Sequence, residues 1–338
     1  MWTDPYFTEL FLKQTPFIDV RAPVEFADGH IPGAINLPLM VNEERHQVGI
    51  CYKEQGQDAA IKLGHELVSG ATKDSRINAW VERIRAFPAT EVYCFRGGLR
   101  SQISCQWIRE RGIQKTQIPG GYKAMRRYLL SVINEAPLPH VTRVGGLTGT
   151  GKTDILEHLP DAIDLEGLAH HRGSIFGDRG EQPAQATFEN HLAVALIQKK
   201  SVVLEDESYS IGRVSLPRRL FEHMRSSPMV IVDAPMEERI RRIHRDYVLL
   251  KDRTYFITKT EALTRKLGGL RARQILDKMT WAFDRGIALE DHAPWIEQLL
   301  AEHYDPMYAK GIRSQKNNIL FRGTADEVIA FLSASKKY

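Results

Sequence analysis

Short apolar runs alternate along the chain with polar, turn-forming stretches, and their spacing predicts the elements. Phe17-Ile18-Asp19-Val20 is a run of strand length. Ala34-Ile35-Asn36-Leu37 is a second, entered through the Pro32-Gly33 turn. Glu91-Val92-Tyr93-Cys94 is a third, and it ends at a glycine-rich turn. From Gln102 to Arg111 the period changes, with Ile103, Trp107 and Ile108 at helical spacing. Strands alternating with helices predict a parallel α/β sheet.

Ala136-Pro137-Leu138-Pro139 reads as a linker, after which the pattern starts again. Val141 to Val144 predicts a strand leading into a second glycine-rich turn, and Asp154 to Leu159 is compatible with a helix. Ser201 to Leu204 and Met229 to Val232 are further runs of strand length. From about Glu237 the pattern turns helical. The expected organisation is one α/β module over residues 1–137, a second α/β core over 138–245, and a helical C-terminal region over 246–338 packed on that core.

Bulk properties change this picture little. A length of 338 residues suits two domains, and 43% hydrophobic with 26% charged residues is ordinary for a globular chain. The net charge of +4 is mildly basic and compatible with an anionic partner, but by itself it indicates only a solvated surface. No apolar run reaches the length of a membrane span, and the N-terminus lacks a basic start followed by an apolar run. Three cysteines form no pairing pattern, which fits a reducing compartment. The expected location is the cytoplasm.

The chemistry concentrates in the two glycine-rich turns. Cys94-Phe95-Arg96-Gly97-Gly98-Leu99-Arg100-Ser101 lies between a strand and a helix. Successive backbone N–H groups in such a turn can converge on an anion, and the helix N-terminus adds positive potential. A thiol beside Arg96 and Arg100 is placed to act as a thiolate nucleophile. A buried, inert cysteine would gain nothing from two arginines and two glycines in that loop. Gly146-Leu147-Thr148-Gly149-Thr150-Gly151-Lys152-Thr153 matches the G-x4-G-K-[ST] phosphate loop, with the strand and helix it requires on either side. Its amides would wrap a diphosphate, Lys152 would reach the outer oxygens, and Thr153 would help hold Mg²⁺. A metal-orienting carboxylate is expected at the end of a neighbouring strand, with Glu205 and Asp206 the candidates and Asp233 a decoy. Arg241, Arg242 and Arg245, with Arg172, are candidates for a lid over phosphates or for tRNA contacts. His170-His171 has no cysteine or carboxylate at ligand spacing, so no structural metal is expected.

Two resemblances follow from these residues. Asp19-Val20-Arg21-Ala22-Pro23-Val24-Glu25-Phe26, followed by Gly29-His30-Ile31-Pro32-Gly33-Ala34, resembles the N-terminal signature of rhodanese domains. In those domains a cysteine at the place of Cys94 carries a persulfide or a related chalcogen adduct. The Cys-x5-Arg spacing here is longer than in many sulfur-transferring rhodaneses and resembles dual-specificity phosphatases, which implies an anion of phosphate size. The whole chain resembles the bacterial tRNA 2-selenouridine synthases. The stretches that carry this likeness are the cysteine loop, Asp164 to Ser174, Glu205-Asp206-Glu207-Ser208 with Ile211-Gly212, and Tyr304-Asp305-Pro306-Met307-Tyr308.

That resemblance implies a rhodanese-like domain joined to a P-loop domain, replacing sulfur by selenium in wobble 2-thiouridine of tRNA. It implies selenophosphate as selenium donor, an S-geranyl intermediate made from geranyl diphosphate, and a selenophosphate-supplying enzyme as partner. No tightly bound cofactor is expected. Two alternatives stand beside it. One is a Cys-x5-Arg phosphatase or a sulfurtransferase with a regulatory nucleotide-binding P-loop. The other is a nucleotide-switched binding module.

Overall fold

In the computed structural model, which describes residues 2–308 and 318–334, the chain forms two compact units. The first comprises Met1–Pro137 together with Gln182–Gln198, and the second comprises Leu138–Glu181 and Lys199–Tyr338.

The first unit is built on a parallel sheet of β1 (Phe17–Asp19), β2 (Ala34–Asn36) and β3 (Glu91–Tyr93), in the order β2-β1-β3. Phe17 pairs with both Ala34 and Glu91, so the central strand is the first in sequence. Its core gathers Ile18, Val20, Trp80, Val92, Cys105 and Ile108. Asp19 and Arg21, from the rhodanese-like signature, form a buried ion pair at 2.6 Å. Arg21 also donates to the Gly29 carbonyl at 2.8 Å and lies 4.0 Å from the Tyr122 ring centroid. A buried guanidinium is tolerated only when paired and hydrogen-bonded, and here both conditions are met. The strands and the glycine-rich turn fall where the sequence places them. The helix after the turn begins at Leu99, earlier than Gln102, and runs to Glu110.

The helix Gln185–Leu196 amends the division by sequence order, because it packs with the first unit. Asn190 donates to the His30 carbonyl at 2.7 Å, and Arg126 donates to Asn190 at 2.9 Å and to Glu189. Gly29 makes this close approach feasible: a Cβ there would meet Ala186 Cβ at 2.7 Å and the Tyr122 hydroxyl at 2.8 Å.

The second unit is a five-stranded sheet in the order β10-β9-β4-β6-β5. Its strands are β4 (His140–Gly146), β5 (Ala162–Ile163), β6 (Ser201–Glu205), β9 (Met229–Val232) and β10 (Ile319–Gly323), all parallel to their neighbours. A small antiparallel pair, β7 (Ser210–Ile211) and β8 (Val214–Ser215), stands apart. The C-terminal region is not helical throughout. Helices Arg253–Ala262, Gly269–Arg285 and Leu289–Leu299 pack around Phe256, Ile275, Met279 and Trp295, but β10 then joins the sheet edge beside β9. Asn318-Ile319-Leu320-Phe321 is too short a run to distinguish strand from helix by period, and pairing with β9 decides it. Asp233, just past β9, is taken up by Arg322 of β10 at 2.8 Å. Among the described residues, no helix is long and apolar enough to cross a membrane.

Candidate active sites

The cysteine loop leaves β3 at Cys94 and enters the helix Leu99–Glu110 through Gly98. Gly97 turns the chain with φ +66°, and a Cβ there would meet the Ile118 carbonyl at 2.8 Å. Gly121 backs the loop from the next helix; a Cβ on it would stand 2.2 Å from the Cys94 carbonyl and 2.6 Å from the Gly97 nitrogen. The Tyr122 and Lys123 amides donate to the Cys94 and Phe95 carbonyls, each at 2.9 Å. The loop's carbonyls are thereby held outward, as an inward-facing amide cradle requires.

The Cys94 thiol is buried, with its sulfur 3.0 Å from the Ser101 hydroxyl oxygen. Ser101 is also within 3.1 Å of the Gly98 carbonyl. Arg100 is gripped by Glu25, donating at 2.6 Å and 3.1 Å to its two oxygens, and Arg45 approaches the same carboxylate at 3.1 Å. Burial alone would raise the Glu25 carboxyl, but the hydrogen bonds and charge of Arg100, with the Ala22 amide and Arg45, outweigh it and hold the carboxyl low. Arg96 is exposed, and Leu99 is 45% exposed on the first turn of the helix. The structure thus brings Cys94, Gly97, Gly98, Arg100 and Ser101 together. It adds Glu25 and Gly121, which sequence reasoning did not single out. Glu25 lies in the quoted signature, but nothing local shows that it reaches Arg100.

The phosphate loop leaves β4 and enters the helix Lys152–Glu157. Gly146, Gly149 and Gly151 all have positive φ, and Thr150 is buried with its hydroxyl donating to the Leu147 carbonyl at 2.9 Å. Lys152 Nζ lies 3.4 Å from the Gly146 carbonyl and 5.6 Å from the Tyr308 ring centroid. Thr153 donates to Glu205 Oε1 at 2.9 Å. Arg239 braces the loop from outside: it donates to the Thr148 carbonyl at 2.8 Å and is held by Asp305 at 2.5 and 3.0 Å. That gives the Tyr304 to Tyr308 stretch a physical role.

Of the two carboxylate candidates, only Glu205 faces this loop. Asp206 is engaged instead by Arg143 at 2.6 Å and Arg225 at 3.1 Å. Successive residues at a strand end point to opposite sides, so Glu205 and Glu207 share one side and Asp206 the other. Glu166 joins them, and one oxygen from each of Glu166, Glu205 and Glu207 lies within 4.8 Å of the others. Burial, then repulsion from Glu166 and Glu207, pushes the Glu205 carboxyl well above the usual carboxylate range. Burial and Glu166 likewise push Glu207 up to about 8. Glu205 Oε2 is buried with no hydrogen-bond partner. Three hard oxygen donors, an orphaned carboxylate oxygen and the Thr153 hydroxyl fit a divalent cation such as Mg²⁺. Gly173 completes the set: its amide donates to Glu166 at 2.7 Å, and a Cβ there would stand 2.5 Å from Glu207.

The basic candidates separate into two groups. Arg172, Arg242 and Arg245 line a cavity of about 150 Å³ with the phosphate loop. Arg242 lies against Gly151, and both it and Arg245 approach Asp154, at 3.6 and 3.7 Å. A π-helical turn at His244–Val248 continues their helix and carries Asp246, whose carbonyl accepts from Arg172 at 2.8 Å. Arg241 is not part of this group; it is exposed and paired with Glu237 at 2.6 Å.

Comparison with known proteins agrees with both halves of this geometry. Residues 6–124 match the model of the Rhodanese-like domain, and residues 139–338 match that of the tRNA 2-selenouridine synthase AAA domain. A protein from Marinobacter nauticus named tRNA 2-selenouridine synthase is 45% identical over 99% of this chain and 98% of its own length. One of the same name from Cupriavidus pinatubonensis is 46% identical, covering 96% of each chain. One from Pseudomonas syringae pv. syringae is 44% identical over 96% of this chain and 95% of its own. With two family models spanning the two loops and relatives aligned over nearly the full length, the chain belongs to the tRNA 2-selenouridine synthase family.

Proposed function

We propose that this chain replaces sulfur by selenium at C2 of wobble 2-thiouridine in tRNA, in two steps divided between its two loops. In the first, the phosphate loop grips the diphosphate of geranyl diphosphate. The thiocarbonyl sulfur attacks C1 of the geranyl group, a C–S bond forms, the C1–O bond breaks and diphosphate leaves. Thr153, Glu205 and Glu207, with Glu166, would hold a divalent cation, whose charge neutralises the departing diphosphate when bound. Lys152, with Arg172, Arg242 and Arg245 around the cavity, supplies fixed positive charge to the same oxygens.

In the second step selenophosphate occupies the cysteine loop, where amides and the helix N-terminus receive its phosphate group. Selenium attacks C2, the C2–Se bond forms, and the C2–S bond breaks with its electron pair leaving on the geranyl thiolate; water then attacks phosphorus, the P–Se bond breaks with its electrons staying on selenium, and phosphate is released. The observation that carries this reading is the pairing in one chain of a thiol in an anion cradle with a phosphate loop faced by an orphaned carboxylate. Incubating the protein with 2-thiouridine tRNA, geranyl diphosphate, selenophosphate and Mg²⁺, then weighing the nucleosides, tests it. Geranylated and seleno products are expected; folded protein that makes neither overturns the reading.

One observation favours a second reading, a phosphatase. The Ser101 hydroxyl directly after the loop arginine lies against the Cys94 sulfur, as suits a thiolate attacking phosphorus. Cys94-dependent hydrolysis of an aryl phosphate, outpacing selenium incorporation, would decide for it.

A further inference from the structure

We propose that an apolar cavity beside the cysteine loop binds the isoprenoid chain carried on sulfur when the S-prenylated nucleoside meets Cys94. This rests on the two-step reading above and adds a site to it. The cavity lies within the N-terminal unit, between helices Asn42–Gln55 and Gln57–Leu67 and the start of Leu99–Glu110. Its volume is about 660 Å³. Sites that enclose small organic ligands are roughly 300–1,000 Å³ and mostly apolar. Val48, Ile61, Val68, Ile103 and Trp107 supply apolar walls.

The cavity opens where helix Asn42–Gln55 leaves much of its surface unburied. Among the residues of helix Asn42–Gln55 only Cys51 is buried, while Ile50 and Tyr52, which also line the cavity, are 43% and 58% exposed. Gly49 lies in the same wall, and a Cβ there would meet nothing within 4 Å. Apolar surface left open in this way marks a binding site more often than an accident of packing.

Its position selects the occupant. Leu99 and Arg100 belong at once to the cavity wall and to the cysteine loop. Arg45 lines the cavity too, and Glu25 ties Arg45 and Arg100 to one carboxylate. An anion at Cys94 and a chain in the cavity would therefore be neighbours across a single turn of backbone. Arg45 and Lys53 add positive charge to the lining, which suits a chain that arrives attached to RNA. The prenyl diphosphate itself calls for the carboxylate cluster and phosphate loop, which belong to the other unit. What remains is the chain after transfer to sulfur. As C2–Se forms and C2–S breaks, the thiolate leaves with its chain already seated.

The test uses the full-length protein and anticodon stem-loop oligonucleotides bearing S-geranyl- or S-methyl-2-thiouridine, with affinities read by fluorescence anisotropy. The readout is the ratio of the two affinities, which a partly unfolded preparation does not change. The wild-type chain is expected to prefer the S-geranyl oligonucleotide by about tenfold or more. Gly49→Trp fills the cavity from an open position in a helix, where losing glycine favours folding. Gly49→Trp, and independently Val48→Phe, should bring the ratio close to one. A wild-type ratio near one, or a ratio that both variants leave intact, overturns the proposal. Conversion of the S-geranyl oligonucleotide by selenophosphate is followed in parallel. Selenium transfer without any preference sinks the pocket and leaves the functional reading standing. Preference without selenium transfer does the reverse.

Discussion

The cysteine loop and the phosphate loop are both glycine-rich turns from a parallel strand into a helix, yet their charges are settled differently. Around Cys94 the balance is already made: Arg100 and Arg45 share Glu25, the thiol has Ser101, and backbone amides of the next helix hold the loop's carbonyls. Around Lys152 it is not. Three carboxyl groups crowd one side, one buried oxygen has no partner, and burial with mutual repulsion raises two of the three toward protonation. The first loop is preorganised for an anion. The second awaits charge from outside, so its ligands should stabilise it most. Whether each loop's charge is balanced is decided by its tertiary neighbours: Glu25 and Arg45 at the first, and Glu166, Glu205 and Glu207 at the second.

The comparison can be broken most sharply by separating the two steps. Cys94→Ser should abolish selenium incorporation while S-geranyl tRNA still accumulates. Lys152→Ala should lower geranylation by about 10²-fold or more and still convert a pre-geranylated oligonucleotide. Nucleoside mass analysis of both variants reads this, and a variant that loses both steps would merge the two sites. Next in size is the ligand response. Mg²⁺ with geranyl diphosphate at about 100 times its Kd should add about 2.7 kcal/mol of stability, seen as a higher melting temperature. Glu205→Gln should remove most of that gain. Glu25→Gln should cost about 1–2 kcal/mol by leaving Arg100 without its partner. It should slow selenium transfer without touching geranylation, which single-turnover assays of each step would show.

The smallest effect concerns the packing of Gln185–Leu196 in the first unit. His30 stacks on Phe26 with ring centroids 4.0 Å apart and faces His191, Thr187 and the Asp19–Arg21 pair. Burial lowers the pKa of both imidazoles; for His191 the nearby His30 adds to it, and for His30 the Phe26 carbonyl opposes it in part. Groups depressed in the fold stabilise it fully above the ordinary imidazole pKa of about 6.5, and that stability is lost as pH falls below it. The protection of amides across 185–196, taken relative to their intrinsic exchange rates at each pH, should therefore fall between pH 7 and pH 5.5, and His191→Gln should flatten that response.

Much of this was legible in the sequence because glycine, lysine and apolar period are local signals. β9 falls on the apolar run Met229 to Val232, and both functional turns sit where their glycines allow positive φ. Neighbours from distant segments were not legible. Glu25 meets Arg100 across a gap of 75 residues, and Arg239 meets Asp305 across 66. Glu205 and Asp206 are equally acidic to the eye, and only strand parity tells which faces Thr153. Gly121 looks like an ordinary turn residue until the cysteine loop is laid against it.

The excursion of Gln182–Gln198 bears on heredity as well as on packing. The rhodanese-like unit is encoded in two separated stretches, with part of the P-loop unit written between them. A recombination event that moved only the first 137 codons would transplant an incomplete body, missing the helix that meets His30 and Arg126. Once that helix was recruited, the two halves could no longer be shuffled as independent cassettes.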